Sequence, residues 1–217
     1  MNRRDFSRNL VGRGAGALAL FSLAAPVRAQ SGVPTEGKQY SRVEPPVSTQ
    51  TPGKVEVLEF FSFACPHCQA FEPMVEPWAK KLPADVVFQR VPVPFLMGAD
   101  TFMHSYYAFE ALGLIDRMVP KVFAAIHVER QRIDSTKDMA ALVAKNGGDG
   151  AKFIEATKSF GVATKVARAK KLVGEYKIDG VPAIGVQGRY LTSPSQAGGL
   201  VEALAVADFL IQKARKG

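Results

Sequence analysis

The apolar positions of the 217-residue chain change period several times, and each change marks a boundary between elements. "VEVLEFFSF" is a nearly unbroken run of β-branched and aromatic residues, which predicts a buried strand over Val55–Phe61. Upstream, "QYSRVEPPV" holds a short edge strand stopped by Pro45 and Pro46, which have no N–H to continue a ladder. Downstream, "HCQAFEPMVEPWAKKL" sets Phe71, Met74, Val75 and Trp78 on one helical face. Pro66 falls at the first helical position, where a missing N–H costs nothing, while Pro73 and Pro77 lie inside the helix and should kink it. "DVVFQRVPV" returns to strand character and completes a β-α-β unit with parallel strands.

From Gly98 to about Glu175 the pattern is helical. "DTFMHSYYAFEALG" opens on a cap candidate, Asp100, and closes at Gly113. "VPKVFAAIHVER" spaces Val119, Val122, Phe123 and Ile126 as a helix does, and "DSTKDMAALVAKNGG" carries a Ser135-x-x-Asp138 capping box. Strand signals return in "GVPAIGVQGRYL", where two short segments flank the turn dipeptide Gln187-Gly188. The chain ends in an amphipathic helix bearing Leu200, Leu204, Ala207, Phe209 and Ile211. The expected fold is therefore α/β, with an all-helical block inserted between a β-α-β half and a β-hairpin/helix half, because neither half holds a complete sheet alone.

The N-terminus stands apart. Basic "MNRRDFSRNL", apolar "GALALFSLAA" and small-residue "VRAQ" follow the order of a secretory signal cleaved after Ala29, and "NRRDF" also resembles a twin-arginine export signal. Five arginines and one aspartate leave with that segment, so the formal charge of +8 falls to about +4 over 188 residues. Such mild basicity, without interleaved aromatics, argues against nucleic-acid binding. No stretch has the length of uninterrupted apolar residues that a stable membrane span needs.

The chain has two cysteines, Cys65 and Cys68, placed where the first strong strand turns into helix. A bridge between them closes too small a loop to restrain the unfolded chain, so the pair points to chemistry rather than stapling. C-x-x-C beside a β-α-β pattern reads as a thioredoxin-like redox motif. At a helix N-terminus, Cys65 faces unpaired N–H groups that favour its thiolate; Cys68, one turn on, is within disulfide reach and more shielded. His67 adds a potentially cationic ring, and a stabilised reduced thiolate makes the disulfide a stronger oxidant. His104 and His127 read as ordinary helix residues. Zinc is the rival reading of C-x-x-C, but two cysteines without an H-x₃-H pair supply too few ligands. Glu59, six residues before Cys65 on a buried strand, is expected to have a raised pKa and to exchange a proton with Cys68; the alternative is a strand-end glutamate that reaches solvent.

"VEVLEFFSFACPHCQAFEP", with "GKQYSRVEPPV" before it and "GVPAIGVQGRYL" after the helical block, resembles the bacterial DsbA family of periplasmic thiol:disulfide oxidases. The resemblance implies a thioredoxin fold in which residues 30–97 and 176–217 form one domain, residues 98–175 an inserted helical domain, and residues 1–29 the signal. It further implies that Cys65 is the nucleophile and Cys68 the resolving thiol, that Pro66 and His67 tune the pair, that Glu59 is the family's buried acid, and that Val181 and a cis Pro182 bind substrate. The expected activity is donation of the Cys65–Cys68 disulfide to reduced, newly exported proteins, in the periplasm, by a monomer with no cofactor beyond that disulfide and a DsbB-type membrane protein as reoxidant. An isomerase or reductase, or a folding helper that makes no use of its dithiol, is the alternative. Pro73, Pro77, Ala64 and the "VPFLMGAD" segment depart from the family pattern and bear on substrate preference.

Overall fold

In the computed structural model, residues 32–216 are described; the expected signal over 1–29 lies outside the described residues. Five strands form one sheet in the order β1-β5-β4-β2-β3: β1 (Ser41–Arg42), β2 (Val55–Phe61), β3 (Val86–Pro92), β4 (Ala183–Val186) and β5 (Tyr190–Thr192). β2 and β3 are parallel, joined through α1 (Pro66–Ala79), and the other pairings are antiparallel. The short β1 sits at the edge and ends before Pro45 and Pro46.

Five α-helices separate β3 from β4: α2 (Ala99–Ala111), α3 (Ile115–Phe123), α4 (Thr136–Lys145), α5 (Gly150–Thr157) and α6 (Phe160–Glu175). A short α7 (Pro194–Ala197), not foreseen from the sequence, precedes α8 (Leu200–Arg215). Among the described residues no helix is long and apolar enough to cross a membrane.

The alternation along β2 assigns its side chains to two cores. Val55 and Val57 pack with Phe71 and Val75 of α1 and with Val206, Ala207, Leu210 and Ile211 of α8. Leu58 and Phe60 point the other way, into a second core shared with the helical block, and Phe60 meets Tyr176 with ring centroids 5.1 Å apart. At the last residue of the strand and just past it, Phe61 and Phe63 join Phe102, Tyr106 and Phe123 in an aromatic cluster that fastens the block to the end of β2.

Three local expectations are corrected. Met74 is exposed rather than on the buried face, and Glu72, nearly opposite it around α1, is buried. α1 runs through Pro73 and Pro77, both exposed, and stops at Ala79. α2 is capped by Gly98 rather than Asp100; Gly98 has φ +71, and an added Cβ would stand 2.9 Å from the Phe102 ring, so packing as well as backbone selects glycine there. The Ser135–Asp138 capping box forms as expected.

Candidate active site

β2 delivers the chain to a tight turn, Ser62–Cys65, in which the Cys65 N–H donates to the Ser62 carbonyl at 3.1 Å. Cys65 is the N-cap of α1, with extended backbone (φ −89°, ψ 117°) and Pro66 immediately inside the helix. Its sulfur accepts the Cys68 backbone N–H at 3.4 Å, the bond a capping oxygen would otherwise take. On its other side the Cys65 thiol donates to the Val181 carbonyl at 3.4 Å. Sheet pairing explains that contact: β4 lies antiparallel to β2 with Ala183 opposite Phe60, so residues 181–182 fall beside the turn that ends in Cys65. The Val181–Pro182 peptide bond is cis.

Both thiols are free and both are buried, Cys65 at 6% exposure and Cys68 at 1%. Cys68 is the more shielded, as expected, but the loop carrying Val181 lies against Cys65 as well, and the two sulfurs differ only in degree. Their acidities diverge sharply. Cys65 is drawn down to about 6, first because the Cys68 thiol donates to its sulfur, then through the N–H groups of Cys68 and His67, all working against burial; the His67 charge contributes least. Cys68 moves far upward, because its proton is held by Cys65 and because it is buried. His67 itself is exposed, so its backbone outweighs its ring, contrary to the emphasis the motif invites.

Glu59 is buried at 2% exposure and does not reach solvent. The β2/β3 register sets it opposite Arg90, whose Nε donates to Glu59 Oε2 at 2.8 Å. Glu72 and Glu76, one helical turn apart on α1, complete the cluster at 2.8 and 3.1 Å from Arg90 Nη2. One guanidinium thus serves three carboxylates. Burial raises Glu59 above the ordinary carboxylate range despite Arg90, and burial raises Glu72 to about 7. Glu59 also helps to keep Cys68 protonated, as the last of several influences. Arg90, Glu72 and Glu76 were missed in the sequence because an i,i+4 acidic pair reads as a solvated face; the signal that could have found them is the alignment of Arg90 with Glu59 in paired strands.

A folded-state pKa above the unfolded value means that the native state holds the Glu72 proton more tightly. Ionisation therefore weakens the fold above pH about 7, and stability returns as pH falls towards the unfolded value of 4.5. Glu72→Gln is expected to stabilise the protein by about 1–2 kcal/mol at pH 8, a gain that shrinks towards zero near pH 4.5 in urea titrations.

A groove of about 860 Å³ opens beside Val181 and Pro182, with His67 on its rim. Its lining is mixed: Val43, Ile178 and Leu191 give it apolar stretches, and Ser41, Thr192 and Gln196 add hydroxyl and amide groups.

The profile of the DSBA-like thioredoxin domain matches residues 97–205, a stretch that begins after the dithiol and includes Val181–Pro182. Over the full length of both chains, 46% of residues are identical to the thiol:disulfide interchange protein DsbA of Bordetella parapertussis. The DsbA of Pseudomonas aeruginosa is 40% identical over 211 residues, 96% of this chain and 97% of the relative. Its crystal structure superposes with a TM-score of 0.81, covering 84% of this chain and 95% of that one. The oxidoreductase DsbA from Xylella fastidiosa, 26% identical, gives a TM-score of 0.79 over 86% of this chain and 100% of its own.

Proposed function

The chain belongs to the DsbA family and is a thiol:disulfide oxidoreductase, and from that premise we propose the following assignment of its site. Cys65 is the nucleophile and Cys68 the resolving thiol. In the oxidised protein a substrate thiolate attacks the Cys65 sulfur; a substrate–Cys65 bond forms, the Cys65–Cys68 bond breaks, and Cys68 leaves as a thiolate that takes up a proton. A second substrate thiolate then attacks the substrate sulfur of the mixed disulfide, closing the substrate's bridge and releasing the Cys65 thiolate. Two electrons pass from substrate to protein.

The observation that carries this reading is Cys65 at the helix cap with its pKa near 6. A reduced form held as a thiolate is a good leaving group and a poor partner for re-forming the bridge, so the disulfide moves outward. Pro66 begins the helix whose N–H groups face the sulfur, and His67 contributes mainly its own N–H. Glu59, kept above the ordinary carboxylate range by burial, supplies and recovers the Cys68 proton, with Arg90 as its fixed partner. Val181 and Pro182 present backbone to an extended substrate segment, and the groove beside them takes its flanking residues.

Residues 1–29 are the cleaved signal that delivers the protein to the periplasm; residues 30–97 and 176–217 form the redox domain and 98–175 the insertion. Reduced, newly exported chains are the substrates, a DsbB-type membrane protein the reoxidant, and the dithiol itself the only redox group.

The test is the pH dependence of Cys65 alkylation in the reduced protein. Its midpoint is expected at about 6. At pH 7 about nine-tenths of Cys65 would then be ionised, against a few per cent of an unperturbed thiol. A midpoint near 8.5, the value of a free cysteine, would remove the basis for disulfide donation.

A further inference from the structure

α3 ends at Phe123, and the chain continues through one π-helical turn, Ala124–Val128, closed by the Glu129 N–H onto the Ala124 carbonyl at 2.9 Å. Isolated π-helical turns are rare and often accompany functional sites. This one carries His127, whose ring leans on Phe123 with centroids 6.1 Å apart. His127 Nε2 lies 2.8 Å from the carbonyl oxygen of Phe63, two residues before Cys65. A carbonyl only accepts, so Nε2 carries the proton in this contact.

The turn leading to Cys65 is otherwise closed on itself. The Cys65 N–H returns to the Ser62 carbonyl, and the Ala64 N–H donates to Ser62 Oγ at 3.1 Å. Among the described residues, no other hydrogen bond reaches the Phe63 carbonyl. We propose that His127 is a positioning residue for the dithiol: its Nε2–H anchors the Phe63–Ala64 peptide to the helical block and so holds the backbone from which Cys65 caps α1. The Phe63 ring, fully buried against Phe102 and Phe123, fixes the turn sideways, while His127 fixes the plane of its peptide. Without that bond the cap relaxes, the Cys68 N–H and thiol contacts to the Cys65 sulfur lengthen, and the thiolate loses support. The inference rests on Cys65 being the nucleophile.

Three variants test it. His127→Leu removes the donor at similar bulk; His127→Gln keeps an N–H donor; His127→Phe keeps the ring on Phe123 and serves if the leucine variant does not fold. Each is compared with wild type by Cys65 alkylation rate at pH 5.5, by equilibrium with glutathione, and by urea unfolding. Losing the donor should slow alkylation about threefold to tenfold and shift the glutathione equilibrium towards the protein disulfide by a similar factor, in line with the loss of one well-formed hydrogen bond. Glutamine should recover most of both. If the donor-free variants lose stability yet keep wild-type alkylation and glutathione equilibria, or if glutamine behaves like leucine, His127 is structural only and the proposal falls. A wild type that itself titrates as a free thiol would instead overturn the assignment of Cys65, so the two failures are distinguishable.

Discussion

Cys65→Ala should reduce disulfide transfer to the uncatalysed background while leaving the protein folded. The sulfur lies in the core with 6% exposure, and an alanine there removes one buried atom, a change of about 1 kcal/mol in cavity and transfer terms. What disappears is the sulfur that both contacts the Val181 carbonyl and is drawn towards ionisation. Cys68→Ala separates the two roles. It too cannot hold an internal disulfide, so oxidase activity also ends, but its Cys65 can still attack a substrate disulfide and remain attached to it. The Cys68 thiol is the foremost influence lowering Cys65, so the same change should move Cys65 back towards the ordinary thiol range; Cys68→Ser, which keeps a donor, should do so less. Oxidation of a reduced, unfolded protein and the pH profile of alkylation, measured on the three variants, check both statements.

Gly188→Ala is expected to have the largest effect on stability. Gln187 and Gly188 turn the chain between β4 and β5 with φ of 53° and 65°, the hairpin geometry that matches the twist of paired strands. A Cβ on Gly188 would lie 1.8 Å from the carbonyl oxygen of Val47, which is backbone and cannot swing aside. The same residue accepts the Val47 N–H at 2.8 Å and donates to the Tyr176 hydroxyl at 3.0 Å, so relieving the clash breaks bonds to two other segments. Together these place the loss on the order of 3 kcal/mol or more, read as a fall in Tm of roughly 6–12 °C for a domain of this size. Gly37→Ala is the control. Its φ is +81° but nothing stands within 4 Å of the added carbon, so only the backbone term of about 1 kcal/mol remains. Equal losses at the two sites would show that conformation, not the Val47 contact, dominates at Gly188.

The contrast between these residues and the acidic cluster shows what a linear pattern can carry. Val55–Phe61, Pro66 at the start of α1 and the Gln187-Gly188 turn follow from local rules, since each depends on neighbours within a few positions. The same holds for Cys65 and Cys68, whose spacing places them at one helix end. Glu72 is buried, against the helical pattern, because the partner that makes its burial tolerable, Arg90, sits eighteen residues away on a parallel strand. Gly98 displaced Asp100 as the cap of α2 because the Phe102 ring packs over it. His127 passed for an ordinary helix residue because its partner is 64 residues distant and the π-helical turn that aims it leaves no compositional mark. Pairings across elements, rather than the elements themselves, were the missing information.

The chain's single tryptophan adds an optical consequence. Trp78 stands at the end of α1, its indole N–H donating to Asp208 of α8 at 2.8 Å and its ring meeting Phe88 edge-on at 6.0 Å. Ten residues of helix put it about 15 Å along the axis from Cys68, beyond the contact at which sulfur quenches indole emission. Its fluorescence therefore reports the parting of α1 from α8 during denaturation and is silent to the oxidation state of the pair, so oxidised and reduced protein can be unfolded side by side with the same intrinsic probe.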